Sequence, residues 1–419
     1  MAMKIKRKPT VCGTEINNTD GPSISDLPMT VSVDILLKLC TKSIALCKCV
    51  CKSWRALISD PQFAKLHFEQ AKTCLLVRDM SHCRISRALF LLEPEDGCSF
   101  DTGYCWCGSV KEKCNRCRLN IKVKAKLKMP VRNAQVMLGH AGDDMNAIFG
   151  IENNRNRKQI GLKSVWAHKY FIENSCNGLL CLIDETGYDD PVICNPILGE
   201  FIYLPKSSNK KDNALFFSVG LGFNPKKNQY KVIRMFSRLT TDPATAFSRR
   251  LGGSMAEIHT IGTDSWRSVE ILAFNRYFES NPVYLNVALH WIYGKDGFKC
   301  IGSFDLEEEQ FHSFSIPSPP HQQRAYLKMG VLGGSLCVYY TDAYGHIDIW
   351  VMKDYGISES WTRLFSIDYA SDLGPPSCFR CQPISYLNNG ALLMFDPSLN
   401  DLIYYDELRG LRFKHLKFI

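Results

Sequence analysis

At 419 residues, with 51 Lys and Arg against 42 Asp and Glu, the chain is long enough for more than one domain and only mildly basic. That excess is too diffuse to argue for a nucleic-acid partner, and no stretch approaches the roughly 18 consecutive apolar residues of a membrane span. The amino terminus lacks the apolar core of a signal peptide, so the protein is expected to be soluble and intracellular, cytoplasmic or nuclear, with its 19 cysteines mostly reduced.

Residues 1–25 carry Lys4, Lys6, Arg7 and Lys8 and then a polar run with Gly13, Asn17, Asn18, Gly21 and Pro22, which reads as a disordered basic arm. Residues 26–72 read as a small helical module. Pro28 suits a first helical turn, and Val31, Ile35, Leu36 and Leu39 recur at helical spacing. Thr41 and Ser43 are candidate caps for a second helix through Ile44, Leu46, Val50 and Cys51, and Trp54, Leu57 and Ile58 form a third run. Asp60-Pro61 is an N-cap followed by Pro at the first position, opening a further helix through Phe63, Leu66 and Phe68 to about Lys72. A unit well below roughly 70–80 residues rarely supplies its own stability, so its surplus apolar stripe is expected to be buried on a neighbour or partner.

The texture then changes to short apolar runs bounded by turn residues, Leu75-Leu76-Val77 and Ala88 to Leu92, and residues 121–128 alternate strictly between apolar residues and Lys. Between these strands residues 97–118 form a Cys-rich insert. Cys105, Cys107, Cys114 and Cys117 offer a candidate zinc set, but a second C-x-x-C at proper spacing is missing, so a reduced Cys-rich loop is the favoured reading. From about residue 165 the chain repeats strand, turn, strand, with units starting at Gly178, Gly222, Leu289, Gly334 and Gly390, about one propeller blade apart. The Gly and Asn-Pro positions are assigned to turns, Trp266, Trp291, Trp350 and Trp361 to packing between sheets, and Glu307-Glu308-Glu309 to a solvated turn.

Leu27-Pro28, Ile35-Leu36, Leu39, Lys42-Ser43, Cys49 to Arg55, and Ile58 to Pro61 with Phe63 stand in the order and spacing of the F-box, which this module resembles. Met29, Thr30, Cys40, Leu46 and Cys47 depart from its usual pattern. The segments SCNGLLCL, VICNPILGEFIYLP, GLGFNPKKNQYKVIR, ALHWIYG, IGSFDLEEEQF and IDIWVMKDYGISESWTRLF resemble the F-box-associated domain of plant F-box proteins, itself similar to kelch-type propellers. The resemblance implies an α+β multidomain chain: the F-box over 26–72, then an all-β, propeller-like domain over 75–415.

The resemblance further implies a non-catalytic substrate receptor of an SCF-type ubiquitin ligase. Leu27, Pro28, Ile35, Leu36, Leu39, Val50 and Trp54 are its expected anchors on a Skp-type adaptor, and through that a cullin, while the propeller holds a protein client whose contact residues stay unassigned. No cofactor is expected. No phosphate loop, dinucleotide turn, H-E-x-x-H or G-x-S-x-G elbow is present. Two alternatives stay open: an F-box interaction or regulatory subunit without ubiquitin transfer, and a propeller enzyme with a metal or small-molecule ligand.

Overall fold

A computed structural model of the chain describes residues 27–71, 74–78, 88–94, 121–128, 170–183, 190–206, 214–241, 249–271, 280–295, 298–317, 326–342, 346–368, 381–386, 391–396, 401–406 and 410–414. The Cys-rich insert, with Cys105, Cys107, Cys114 and Cys117, and the basic arm lie outside the described residues, as does Gly390. The chain divides into two compact units, Met1–Ala71 and Lys72–Ile419.

The first unit holds four helices: α1 (Met29–Leu37), α2 (Thr41–Cys47), α3 (Lys52–Ser59) and α4 (Pro61–Gln70). The Asp60 carboxylate accepts from Gln62 N at 2.8 Å with Pro61 in the first turn, so two adjacent residues both start α4 and end α3. At α2 the cap is Cys40, with Thr41 already helical and Ser43 touching the Cys40 thiol, one residue earlier than the hydroxyls suggest. Leu36, Ile44, Trp54, Ile58 and Phe63, at least one from each helix, make the core. His67 on α4 hydrogen-bonds the Leu39 carbonyl at 3.0 Å and ties the last helix to the end of the first.

The second unit is a six-bladed β-propeller of antiparallel sheets. Blade 1 is β1 (Leu75–Arg78), β2 (Ala88–Pro94) and β3 (Ile121–Lys128); blade 2 is β4 (Phe171–Cys176), β5 (Leu179–Ile183), β6 (Val192–Asn195) and β7 (Glu200–Tyr203). Blade 3 comprises β8 (Ala214–Asn224), β9 (Gln229–Thr241), β10 (Arg249–Thr260) and β11 (Arg267–Val269), and blade 4 comprises β12 (Val283–Leu285), β13 (Ala288–Lys295), β14 (Phe298–Asp305) and β15 (Phe311–Ser315). Blade 5 runs through β16 (Tyr326–Leu332), β17 (Ser335–Thr341), β18 (His346–Met352) and β19 (Trp361–Asp368), and blade 6 through β20 (Gln382–Tyr386), β21 (Leu392–Asp396), β22 (Asp401–Asp406) and β23 (Gly410–Lys414). Sequence repeats marked five units; the sixth blade is built from the three strands ahead of them.

The alternation of each strand decides which neighbour it meets. On β13, Leu289, Trp291 and Tyr293 pack toward blade 3, while Ile292 packs toward blade 5. On β17, Leu336, Val338 and Tyr340 face blade 4, and Cys337 and Tyr339 face blade 6. Both faces of these middle strands are therefore apolar, as strands buried on two sides must be. The ring closes the same way: Leu75 and Val77 of blade 1 pack with Phe395 of blade 6, and Leu89 packs with Leu180 and Leu182 of blade 2.

Tight turns join the first two strands of blades 2 and 5, through Asn177-Gly178 (φ 49° and 79°) and Gly333-Gly334 (φ 60° and 76°), a left-handed pair that suits the twist of a hairpin. Asn195, Asn224 and Asp305 open longer turns by accepting backbone N–H groups two or three residues on. Gly222 is not a turn residue. It lies within β8, where a Cβ would come within 2.3 Å of Leu306 Cδ1, so its smallness admits blade 4.

Candidate functional site

The helical module carries more exposed large hydrophobic residues than any other described region of its size. Five large residues fill its interior, and Leu27, Met29, Val31, Ile35, Leu46, Val50, Leu66 and Phe68 all remain exposed, Met29 and Leu46 each at 67%. Four short helices enclose too little volume to hide both sets.

The seven residues singled out from the sequence fall into two groups. Leu27, Pro28, Ile35 and Val50 are exposed and Leu39 is half-buried. Leu36 and Trp54, at 0% and 7% exposure, belong to the module's own core. Helical spacing identifies the stripe but not which edge of it faces inward, and Ile35 and Leu36 differ by one position. Met29 and Leu46, read from the sequence only as departures from a pattern, are the most exposed apolar side chains of the set. Their signal was present as apolar residues lying off the core spacing.

The charges around this surface have one dominant sign. Lys38, Lys42, Lys48, Lys52 and Arg55 are exposed between residues 27 and 60, against the acids Asp34 and Asp60. A surface of that kind favours an acidic partner and a rate of association that falls with salt. At the start of α3 the Cys51 thiol contacts Ser53 Oγ at 3.1 Å and accepts from Trp54 N at 3.4 Å. The Ser53 hydroxyl first, and then the Trp54 N–H, lower its pKa.

In the propeller the polar chemistry is turned inward. Arg234, 1% exposed, donates through Nε and Nη2 to Glu257 at 2.8 and 2.6 Å and through Nη1 to Asp190 at 3.0 Å, with its guanidinium 4.2 Å from the centre of the Trp266 ring. Lys231, equally buried, donates to Glu309 Oε1 at 2.6 Å and to the Leu306 carbonyl, and Arg267 also donates to Glu309. Glu309 is therefore an inter-blade ligand and not a solvated turn residue; burial raises its pKa, but the hydrogen bonds from Lys231 and Arg267 and their charges outweigh that, so it lies below the ordinary value. These contacts bind blade 3 to both neighbours.

Three histidine arrangements decide whether acid–base chemistry is on offer. His290 is fully buried, with Nδ1 3.1 Å from the Val283 carbonyl and Nε2 2.8 Å from the Tyr355 hydroxyl. Burial holds its pKa down at about 4, so it is a neutral ring that donates to Val283 and accepts from Tyr355. His259 is held by the Ser265 carbonyl against Trp266. His346 meets both Ser366 Oγ and Asp348 Oδ1 at 3.3 Å, but through the same Nε2. A proton relay needs the two on opposite ring nitrogens, so the grouping is not a hydrolytic triad.

Trp291 is buried and donates to Ser218 Oγ at 2.6 Å, and Trp266 donates to the Pro205 carbonyl at 2.6 Å; both join blades. Of the alternating Lys strand, Lys126 is exposed and lies 5.4 Å over the Phe90 ring. Among the described residues no group of three or more His, Cys, Asp or Glu side chains could hold a metal ion, and no helix is long and apolar enough to cross a membrane.

Residues 133–401 match the family described as the F-box associated beta propeller domain, and residues 24–66 match the F-box domain. The chain is similar to an F-box protein of Arabidopsis thaliana, 28% identical over 83% of this chain and 74% of the relative. It is also similar to the F-box protein CPR1 of Arabidopsis thaliana, 22% identical over 91% of this chain and 82% of that one. An F-box/kelch-repeat protein of the same plant is 23% identical over 84% of this chain and 82% of its own length.

Proposed function

Because the chain belongs to the F-box-associated β-propeller family and carries an F-box ahead of the propeller, we propose that it is the substrate receptor of an SCF-type ubiquitin ligase. The observation that carries this reading is the apolar surplus of the helical module: eight large side chains exposed around a core of five. That surface docks on a Skp-type adaptor, and the adaptor links the chain to a cullin. Leu27, Pro28, Ile35, Leu39 and Val50 contact the adaptor directly, while Leu36 and Trp54 support them from the core.

The propeller then holds a protein client near a ubiquitin-loaded conjugating enzyme. The chain needs no acid, base or nucleophile of its own, because tethering makes an intermolecular transfer effectively unimolecular. We read the propeller as kelch-like, a kinship that the F-box/kelch-repeat relative supports, and the site of action as cytoplasm or nucleus.

Co-purification with a Skp-type adaptor tests this, comparing wild type with an Ile35→Ser, Val50→Ser variant. Both positions are exposed, so helicity should persist while binding weakens by about 2 kcal/mol or more per lost anchor. Binding of the wild type should also weaken with rising salt. A wild type that is folded and fails to bind sinks the adaptor assignment. Adaptor binding with client turnover that ignores cullin inactivation would instead make the chain a regulatory F-box subunit.

A further inference from the structure

The innermost strand of blade 2 reads Phe171-Ile172-Glu173-Asn174, and its pairing with β5 skips one residue. Ile172 pairs with Leu182 and Asn174 with Cys181, so Glu173 is the extra residue of a β-bulge. Such a residue is re-aimed relative to its neighbours. The bulge is fixed in place: Asn174 exchanges two hydrogen bonds with the backbone of Leu221 on β8, at 2.8 and 2.9 Å.

Glu173 also lies at the axis of the ring. Asn281, on the run leading to β12, brings its Nδ2 to 3.2 Å from the Glu173 carbonyl and 3.5 Å from that of Ile172. Asn281 belongs to blade 4, two blades round from Glu173, and β12 meets β4 directly. Only at the axis do the inner strands of non-adjacent blades come together.

The carboxylate itself makes no ion pair and no hydrogen bond among the described residues, although the residue is half-buried. Burial pushes its pKa up to about 7. The titratable group it acts on is the Cys181 thiol of β5, whose own pKa burial first, and Glu173 next, hold well above the ordinary value, so that neighbour is neutral. Elsewhere this propeller pairs its buried charges, as at Arg234 and Lys231. A half-buried carboxylate without a partner among the described residues carries part of the desolvation cost of a buried charge, and a cation brought to it recovers some of that cost.

We propose that Glu173 is the docking point, at the propeller axis, for a lysine or arginine side chain of a protein partner. A single carboxylate is a poor cage for a divalent ion, which takes six or more oxygen ligands or keeps much of its water. A single cationic head suits one carboxylate better, and the long stem of lysine or arginine lets that head reach a partly buried group. The proposal concerns the propeller alone and holds whether or not the helical module binds an adaptor.

The test uses the full chain with Nα-acetyl-arginine amide and Nα-acetyl-lysine amide as probes, read by calorimetry and by the shift of the thermal midpoint. Nα-acetyl-citrulline amide and sodium chloride at equal ionic strength are the controls. At pH 8 at least one cationic amide should bind and raise the midpoint, and the controls should not. At pH 6 the carboxylate takes up its proton, so affinity should fall about tenfold. Glu173→Gln, similar in shape and uncharged, should abolish binding while keeping its circular dichroism and its capture of the adaptor. An equal shift in Glu173→Gln, an equal effect of sodium chloride, or no binding of either amide at pH 8 overturns the proposal.

Discussion

In the helical module eight large apolar side chains stay exposed around a core of five, whereas in the propeller even Lys231 and Arg234 are buried. The two units thus differ in self-sufficiency. The module leaves apolar surface in water, as a piece of an interface does. The propeller closes its ring on every described blade interface and retains enough interior to hold charges, paired at Arg234 and Lys231 and left without a described partner at Glu173. A surplus of exposed apolar residues is the mark of an interface; paired buried charges such as Arg234 with Glu257 and Asp190 are the mark of blades held in a fixed geometry.

The sharpest way to break the propeller side is Arg234→Ala. It takes the guanidinium from Glu257, 1% exposed, and from Asp190, and removes the cation from the Trp266 face. Removing one partner of a buried pair costs roughly 3–5 kcal/mol, so the denaturant midpoint of the propeller should drop sharply while the helical module keeps its helicity. Trp54→Ala is the counterpart in the module. With only five core residues to lose from, a cost of about 3–5 kcal/mol should melt the module and leave the β-sheet signal intact. A single shared transition affected by both variants would mean that the two units do not unfold separately.

Acid probes the same contrast without mutation. His290 has a pKa of about 4 in the folded propeller against an ordinary value near 6.5. Below pH 6.5 the unfolded chain takes up a proton that the native ring refuses, so this contribution is complete above pH 6.5 and lost as pH falls to 4. The size is about 3 kcal/mol over that window, and His290→Gln should flatten the slope by that amount. The described core of the helical module contains no such histidine, and its stability should change less over the same window.

Much of this was legible beforehand, and the misses share a cause. Asp60-Pro61 announces α4 because cap and first-turn chemistry are local, and the strands of blades 2 to 5 follow from alternation and turn residues. What eluded the sequence is what depends on contact between distant segments. Lys231 and Arg234 are three apart and so lie on opposite faces of β9, and only Glu309, 78 positions from Lys231, and Glu257 with Asp190 explain why both are buried. Leu36 and Ile35 are equivalent by composition and separated only by the direction of the core. Gly222 looked like a turn because its constraint comes from Leu306 of the next blade.

Gly222→Ala would measure that last constraint. Leu306 is wholly buried, so it cannot swing clear of a Cβ at 2.3 Å, and the blades must part slightly. Overpacking of this kind costs about 1–3 kcal/mol, which should appear in the thermal midpoint of the propeller and not in the helical module.

The smallest stability effect is expected where the largest binding effect lies. Met29, Leu46 and Val50 are 67%, 67% and 55% exposed, so replacing any of them by Ser removes almost nothing from the core. Stability should change by no more than about 0.5 kcal/mol, the usual range for surface positions. If these side chains form the dock, the same substitutions remove apolar area that is covered only in the complex, and affinity for the adaptor should fall in proportion to the surface lost. Denaturation and co-purification measured on one set of variants separate the two quantities. Equal losses in both would place these residues in the module's fold, and a loss of binding alone would place them at its interface.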